Sequence, residues 1–200
     1  MLEYTLESKL LEEGYTLVCG VDEAGRGPLC GPVVAAACIL PIGLYIEGLN
    51  DSKKLTPKKR KIVFEQIKEH AIAYCIAQAS VEEIDELNIL EADMLAMRRA
   101  VEGLALKADY ALIDGNIARG FNIPTMTVIK GDATSPSIAA ASILAKVTRD
   151  EMCEQMDKDY PQYGIGKHKG YGTKQHMDAL RQYGPSPIHR KKFIRFLDEQ

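Results

Sequence analysis

The chain has 200 residues, of which 46% are hydrophobic and 26% charged, and its formal net charge is −3. This composition is typical of one globular domain with a full core, and no apolar run approaches the roughly 20 residues that a membrane-spanning helix requires. The acidic balance argues against an indiscriminate nucleic-acid binder. Acids also stand near the start, at Glu3 and Glu7, where an export leader would need basic residues, so we expect no export signal.

The five cysteines are odd in number and form no Cys-x-x-Cys pair. Most of them lie in apolar runs, as buried thiols do. We therefore expect reduced core cysteines in a cytoplasmic protein, rather than disulfides or a zinc site. The cysteines are Cys19, Cys30, Cys38, Cys75 and Cys153.

In the first half of the chain, the pattern predicts a helix, two strands that pair as a hairpin, a second helix and a third strand. Apolar residues at helical spacing predict a helix over 1–13, which Gly14 ends. Thr56 is the predicted N-cap, and Pro57 the first residue, of a helix that continues to about His70. The strands are predicted over residues 16–22, 33–40 and 72–79. The side chains that the second helix should bury are Ile62, Val63 and Ile67.

The second half of the chain predicts two more strands among helices, then a helical tail. Ser80 should cap a short acidic helix, and residues 164–173, rich in glycine, lysine and tyrosine, are predicted to form a loop. The strands are predicted over residues 110–114 and 125–129. The helices are predicted over residues 88–106, 135–156, 174–183 and 188–198.

This order of elements predicts an α/β fold, with a mixed β-sheet flanked by helices on both faces. Neither a repeat nor a low-complexity linker divides the sequence. We therefore expect a single domain over residues 1–200, with residues 160–200 as a basic helical C-terminal extension. Open α/β sheets place their functional sites at the strand ends, and acids recur there in this chain.

The stretch from Val18 to Gly27 joins an apolar strand to two acids and a Gly-Arg-Gly turn. Burying two carboxylates is costly unless a cation or a set of hydrogen bonds meets them. Because successive side chains of a strand point to opposite faces, Asp22 and Glu23 can share a site only where the strand ends. Gly25 would supply the turn and allow a ligand to approach the backbone closely. The alternative is a strand that ends in a solvated turn.

Two further acids follow predicted strands: Asp114 ends one, and Asp132 comes just after another. Four carboxylates gathered at neighbouring strand ends would repel one another unless divalent cations lay among them. All-oxygen ligation favours Mg²⁺ or Mn²⁺ over zinc. Two such ions about 4 Å apart can activate a water molecule and stabilise the leaving oxygen in phosphodiester cleavage.

The C-terminal segment is basic although the whole chain is slightly acidic. Between residues 161 and 197 there are eight Lys or Arg residues and one acid, Asp178. Such an asymmetry is typical of a surface that contacts a phosphate backbone, and the alternative is a solvated charged face. The basic residues are Lys167, Lys169, Lys174, Arg181, Arg190, Lys191, Lys192 and Arg195.

Ordered sequence blocks over nearly the whole chain resemble bacterial ribonuclease HII, the type 2 ribonuclease H. The blocks are VDEAGRGPLCGPVVAAA, NDSKKLT, LNILEADMLAM, LIDGN, KGDATSPSIAAASILAKVTRD, HKGYGTKQH and GPSPIHRKKF. The resemblance implies a ribonuclease H-like fold and endonucleolytic cleavage of RNA in RNA–DNA hybrids, including single ribonucleotides embedded in duplex DNA. The expected products carry a 3′-OH and a 5′-phosphate, with the cut on the 5′ side of the ribonucleotide.

The resemblance also assigns roles by position. The motif Gly25-Arg26-Gly27 matches the segment whose backbone approaches the ribose 2′-OH, the sugar group that distinguishes RNA from DNA. Tyr171 matches the tyrosine that stacks on the neighbouring deoxyribose and senses the RNA-to-DNA junction. The four acids that match the catalytic, metal-binding positions are Asp22, Glu23, Asp114 and Asp132.

Several polar side chains are candidates for phosphate contacts. For each lysine the alternative is an exposed solubilising charge, and for Ser52 it is a turn. His168 and His176 could move protons or contact phosphate, or could be structural histidines. The candidate phosphate contacts are Arg26, Ser52, Lys53, Lys54, Lys146, Lys169 and Lys174.

Two other functions stay open at this point. One is a non-catalytic module that binds RNA–DNA hybrids, against which the four intact acids argue. The other is a different nuclease or a resolvase on a similar fold, against which the Gly-Arg-Gly motif together with Tyr171 argues. We expect a monomer that acts on RNA–DNA hybrid or ribonucleotide-containing duplex DNA and does not bind membranes.

Overall fold

A computed structural model describes residues 2–49 and 55–197. Its centre is a five-stranded mixed sheet in the order β3-β2-β1-β4-β5. Strands β1 and β2 form the expected antiparallel hairpin, β3 continues it antiparallel, and β4 and β5 lie parallel to β1. The strand bounds are β1 Val18–Ala24, β2 Val33–Ile39, β3 Ala73–Ala79, β4 Tyr110–Asp114 and β5 Thr125–Val128.

Helices cover both faces of the sheet, which confirms the predicted fold class. Helix α4 packs on the face formed by Val21, Val33 and Ala35, whereas α2 and α5 pack on the face formed by Val34 and Ala36. The helix bounds are α1 Thr5–Glu12, α2 Pro57–His70, α3 Val81–Leu87, α4 Ile89–Glu102, α5 Pro136–Asp159, α6 Ile165–His168 and α7 Lys174–Tyr183.

Helix α5 lies against β1 at very short range because of a single glycine. A Cβ atom at Gly20 would lie 2.1 Å from the backbone carbon of Ser137, so a larger residue would push the helix away from the strand. The next turn of α5 is made of Ala139, Ala140 and Ala141, all 0% exposed. These small side chains let α5 pack closely on the sheet, which brings the helix beside the end of β1.

The local start signals of the helices are confirmed. The hydroxyl of Thr56 accepts a hydrogen bond from the backbone N–H of Lys59 at the start of α2. Ser80 and Glu83 form a reciprocal capping box at the start of α3. Ser135 caps α5 through the backbone N–H of Ile138.

Three predictions about helix bounds and helix burial were wrong. Ile62 is 54% exposed, and α2 buries Phe64 instead because the sheet-facing side of that helix starts one residue later. The predicted loop over 164–173 contains α6. The predicted helix over 188–198 is, in its described part, two single 3₁₀ turns, because His189 pairs with Cys30 as a β-bridge and this pairing draws the backbone out of helical geometry.

All five cysteines are free thiols. Within residues 2–49 and 55–197, the helices are too short or too polar for any of them to span a bilayer.

Candidate functional site

Strand pairing places two of the predicted acids side by side. Val21 of β1 and Ile113 of β4 are register partners in a parallel pair, so the residues that follow them, Asp22 and Asp114, lie next to each other at the same edge of the sheet. Asp114 is in turn the partner of Val128 on β5. The parallel order of three strands therefore carries the strand-end acids to one place.

The carboxyl group of Asp22 is buried among other acids. Its side chain is 6% exposed, and burial raises its pKa well above the usual range, with Glu23 and Asp114 adding to the rise through charge repulsion. Hydrogen bonds from Ser142 and from the backbone N–H of Glu23, at 2.7 Å, oppose the shift. The fold thus holds a carboxylate that a cation would stabilise strongly.

The neighbouring Glu23 lines the same cleft as Asp22 and is more exposed. Burial raises the pKa of its carboxyl group, while the nearby Arg26 guanidinium lowers it. The two side chains are 3.4 Å apart, from Nη1 to Oε1. A mobile cation and Arg26 would therefore compete for the same carboxylate.

The third and fourth acids are linked by a turn. Asp114 Oδ1 accepts a hydrogen bond from the backbone N–H of Gly131 at 2.6 Å. Asp132 is the next residue, half-buried in a single 3₁₀ turn over Gly131–Ala133. In the part of the chain that the structure describes, Asp132 borders this group without lining the cleft that the other three acids share.

That cleft has a volume of about 350 Å³, and we call it the acidic cleft. One end is formed by carboxylates and the other by a glycine-rich turn, a tyrosine and basic side chains. The residues that line it are Asp22, Glu23, Ala24, Gly25, Arg26, Gly27, Arg60, Asp114, Ser142, Lys146, Arg149 and Tyr171.

The segment Gly25-Arg26-Gly27, which we call the glycine loop, forms one wall of the acidic cleft. Gly25 has φ of +102°, and a Cβ atom there would lie 2.0 Å from Arg149 Nε. A Cβ atom at Gly27 would lie 3.3 Å from the ring of Tyr171. Glycine is therefore required at position 25 for both conformation and space, and the wall can come close to a ligand.

Tyr171 lies against the glycine loop in the wall of the acidic cleft and is 49% exposed. An aromatic ring that is half exposed beside a glycine-rich backbone has a free face for stacking. The ring of Tyr171 therefore lies outside the core.

Arg26 projects from the glycine loop with 52% of its side chain exposed. Besides Glu23, it contacts Asp93 of α4, with Nε 3.4 Å from Oδ2. Asp93 is 0% exposed, and burial raises its pKa to about 8. Among the described residues, neither of its carboxylate oxygens accepts a hydrogen bond. Repulsion from Glu23 adds to the rise in its pKa, and the nearby Arg26 opposes that rise. Sequence reasoning missed Asp93, because helical spacing alone places it among core residues.

A buried arginine, Arg190, binds the backbone of the glycine loop and fixes its conformation. Arg190 is 0% exposed, and its five N–H groups reach five backbone carbonyl oxygens at 2.6 to 3.2 Å. Burial lowers its pKa to about 10. The sequence places Arg190 among the basic residues of a phosphate-binding surface, and this was wrong for Arg190. The carbonyl oxygens belong to Gly25, Arg26, Pro28, Gly31 and Pro32.

The structure sorts the predicted phosphate contacts into different places. Lys146 lines the acidic cleft and pairs with Asp150 at 2.7 Å. Arg60, which sequence reasoning missed, lines it as well. Lys169 lies in an adjoining groove and pairs with Glu154 at 3.3 Å. Three predicted contacts lie outside the described residues: Ser52, Lys53 and Lys54.

The donor set of the acidic cleft fits divalent metal ions. It consists of carboxylate oxygens with a serine hydroxyl nearby, which suits Mg²⁺ or Mn²⁺ better than a softer metal. Burial, with added repulsion from Glu23 and Asp114, raises the pKa of Asp22, so a bound cation would stabilise its ionised form. Asp22, Glu23 and Asp114 are thus able to hold a cation, which would compete with Arg26 for Glu23.

Comparison with known proteins identifies relatives over almost the whole chain. The family model described as Ribonuclease HII matches residues 19–196. Ribonuclease HII of Desulfitobacterium hafniense (strain DSM 10664 / DCB-2) is 57% identical over 187 residues, covering 94% of this chain and 72% of that protein. Ribonuclease HII of Burkholderia thailandensis is 58% identical over 177 residues, covering 88% and 83%.

A solved structure agrees with these relatives. The crystal structure of ribonuclease H2 from Pyrococcus horikoshii OT3 superposes with a TM-score of 0.75 at 29% identity, covering 92% of this chain and 98% of that one. The enzymes of this group are metal-dependent nucleases, which agrees with the acidic donor set described above. Because the family model and the two relatives cover most of the chain at these identities, the chain belongs to the ribonuclease HII family, endoribonucleases that act on RNA–DNA hybrids.

Proposed function

We propose that this protein cuts the phosphodiester bond on the 5′ side of single ribonucleotides embedded in duplex DNA, as well as the RNA strand of continuous RNA–DNA hybrids. The expected products carry a 3′-OH and a 5′-phosphate. The observation that carries the proposal is the acidic cleft itself, in which the buried Asp22 faces a wall made of the glycine loop and Tyr171.

We assign the catalytic and metal-binding roles to Asp22, Glu23, Asp114 and Asp132. The metal is Mg²⁺ or Mn²⁺, with two ions present during catalysis; when bound, they would supply an activated water and stabilise the leaving oxygen. The role of the chain is to hold its carboxylates ionised and oriented. The backbone N–H groups of Glu23 and Gly131 do this by donating to Asp22 and Asp114.

The glycine loop and Tyr171 would recognise the sugar. The 2′-OH is a small group, and only backbone without a side chain can approach it closely. Gly25 and Gly27 provide such backbone, and the exposed face of Tyr171 is available to stack on the deoxyribose that follows the ribonucleotide. The hydroxyl and the stacking contact together would locate an RNA-to-DNA junction.

Phosphate contacts would come from the basic residues around the acidic cleft. Lys146 and Arg60 line it, and each also contacts Asp150, at 2.7 and 3.7 Å, so a phosphate would share them with that acid. Arg26 can offer a charge-assisted contact from the glycine loop. We retain four further contacts from the sequence as part of the proposal: Ser52, Lys53, Lys54 and Lys169.

We also propose that the protein acts as a monomeric single catalytic domain in the cytoplasm. Its free cysteines suit a reducing compartment.

Product sizing on a labelled DNA duplex with one ribonucleotide tests the proposal. In the presence of Mg²⁺ or Mn²⁺ we expect a single cut on the 5′ side of the ribonucleotide, and no cut in an all-DNA duplex of the same sequence. Chelation with EDTA should abolish cleavage. Metal-dependent cutting of the all-DNA duplex would contradict the assigned sugar recognition, and inert protein with both metals would contradict the activity.

A further inference from the structure

A buried pair of histidines connects the C-terminal segment to the loop that carries Tyr171. His176 and His189 are 0% and 3% exposed, and their Nε2 atoms are 3.1 Å apart. The other ring nitrogen of His176 lies 3.1 Å from the carbonyl oxygen of Tyr171. The other ring nitrogen of His189 lies 3.1 Å from the backbone nitrogen of Ser186. The proposed reaction uses neither ring. We call His176 and His189 the histidine pair.

Hydrogen-bond chemistry fixes the proton positions of the pair. The backbone N–H of Ser186 can only donate, so Nδ1 of His189 must accept, and a neutral ring then carries its proton on Nε2. That proton is donated to Nε2 of His176, which therefore has its own proton on Nδ1. His176 donates this proton to the carbonyl oxygen of Tyr171. The Oγ atom of Ser186 also lies 2.9 Å from Nδ1 of His189 and, in this arrangement, donates its hydroxyl proton to that nitrogen.

The surroundings keep the pair neutral. Burial, followed by the proximity of His176, lowers the pKa of His189 to about 4, and burial also lowers that of His176. His168 stacks on His176 with ring centroids 4.6 Å apart, and the ring edge of Tyr163 packs on both histidines. A charged pair would place two N–H groups against each other.

A metal ion is the competing explanation for this cluster. The Sγ atom of Cys30 and one nitrogen from each histidine lie within 4.8 Å of one another, and all three residues are buried. A metal would need a lone pair on Nε2 of His189. Because Ser186 already donates to Nδ1, that Nε2 atom carries the proton, and the geometry favours a hydrogen bond over a metal ion.

The residue after His189 contacts the glycine loop, which adjoins Tyr171 in the acidic cleft. Arg190 donates hydrogen bonds to the carbonyl oxygens of Gly25 and Arg26 in the glycine loop. His189 and Arg190 thus lie on one short segment, which β-bridge pairing with Cys30 fixes to the body of the protein. One of them contacts the tyrosine wall through His176, and the other contacts the glycine wall directly.

We propose that His176 and His189 are positioning residues, which hold the backbone of Tyr171 at a fixed distance from the glycine loop and so sharpen the preference for an RNA-to-DNA junction. This inference rests on the proposed function. The two walls already touch, since a Cβ atom at Gly27 would lie 3.3 Å from the Tyr171 ring. A small displacement of the tyrosine would therefore change the contact with the sugar that follows the ribonucleotide.

Two pairs of substitutions test the positioning role against simple space filling. An Asn side chain places its amide near the Nδ1 position of histidine, and a Gln side chain places it near the Nε2 position. His176→Asn therefore keeps the donor to Tyr171, whereas His176→Gln loses it. At the other position the order reverses, because His189→Gln keeps the donor to His176 and His189→Asn loses it.

The readout is the ratio of kcat/KM on a single-ribonucleotide duplex to kcat/KM on a continuous hybrid. We expect His176→Gln and His189→Asn to lower this ratio by about fivefold, the loss of one buried hydrogen bond. His189→Gln should stay within about twofold of wild type. His176→Asn keeps the bond to Tyr171 but loses the acceptor for His189, so its ratio should lie between those of His189→Gln and His176→Gln. The matched control is the exposed His70, where His70→Asn and His70→Gln should leave the ratio unchanged. The positioning role would be overturned if the same amide, Asn or Gln, gave the higher kcat/KM ratio at both positions, or if the ratio were unchanged in all variants.

Nitrogen NMR of the wild-type imidazoles tests this series of hydrogen bonds without any substitution, in case a variant does not fold. We expect opposite neutral tautomers, with the proton of His189 on Nε2 and that of His176 on Nδ1. If both rings carry their protons on Nδ1 and one zinc ion per protein molecule survives dialysis, the hydrogen-bonded arrangement is overturned in favour of a metal site. If the wild type cuts neither substrate, the proposed function fails, and these spectra decide the hydrogen-bonded chain independently.

Discussion

Asp22→Asn should have opposite effects on activity and on stability. The substitution removes one negative charge from a group that already includes Glu23 and Asp114, and it keeps a side-chain oxygen that can accept the hydrogen bond from the backbone N–H of Glu23. Cleavage should fall by at least about 100-fold, because an essential ligand and its charge are lost. The metal-free protein should nevertheless become more stable.

The size of the stability gain follows from the strand geometry. Asp22 and Asp114 follow a register pair on neighbouring parallel strands, which are about 4.8 Å apart. At about 5 Å, two unit charges repel by roughly 1 kcal/mol in water and roughly 3 kcal/mol near a protein surface. We therefore expect a gain of about 1–3 kcal/mol, or roughly 3–10 °C in Tm for a chain of this size.

Thermal unfolding in EDTA and in Mn²⁺, measured together with cleavage, checks both halves of this prediction. Because burial raises the pKa of Asp22, the metal-free wild type loses stability as the pH rises through that raised pKa, whereas Asn does not titrate. The gain should therefore grow with pH. The matched control is Asp178→Asn, an exposed acid paired with Lys174, which should change neither quantity. A lower Tm of metal-free Asp22→Asn, or near wild-type cleavage, would refute the role of charge crowding.

Three other predictions follow from the walls of the acidic cleft. Tyr171→Ala should reduce kcat/KM on a single-ribonucleotide duplex more than on a continuous hybrid, by about 10-fold for the loss of one stacking contact; equal losses on both substrates would argue against junction sensing. Arg190→Lys has three donors for five carbonyl oxygens, so chemical denaturation should show a loss of about 3 kcal/mol, and an unchanged midpoint would contradict the anchoring role. Because the pKa of His189 is lowered to about 4 and that of His176 is also lowered, the unfolded chain binds more protons between pH 6.5 and 4. The free energy of unfolding should then fall by on the order of 2 kcal/mol as the pH drops through this range, and His189→Gln should reduce that slope.

The strands and helix starts could be predicted from the sequence because their causes are local. The bounds of β4 at Tyr110–Asp114 and of α7 at Lys174–Tyr183 are those predicted. A run of apolar residues ending in an acid, or a Thr before a polar helix, carries its signal within a few residues. Of the four predicted acids, three line the acidic cleft because β1 and β4 pair in parallel, whereas Asp132 does not line it.

The parts of the site that could not be predicted depend on distant contacts. Arg190 finds its carbonyl oxygens 158 to 165 positions earlier in the chain. Its own neighbours, Lys191 and Lys192, are exposed, so local composition groups it with them. Only the tertiary fold separates a buried arginine from a basic surface.

This separation changes what the charge of the C-terminal segment means. Counting basic residues there predicts a surface for phosphate, yet Arg190 is 0% exposed, and Lys169 and Lys174 are each paired with an acid. The charge available to a duplex is therefore smaller than the sequence indicates, and part of it is used to shape the acidic cleft. Salt dependence of binding should respond to Lys191 and Lys192, whereas substitution of Arg190 should act through the conformation of the glycine loop.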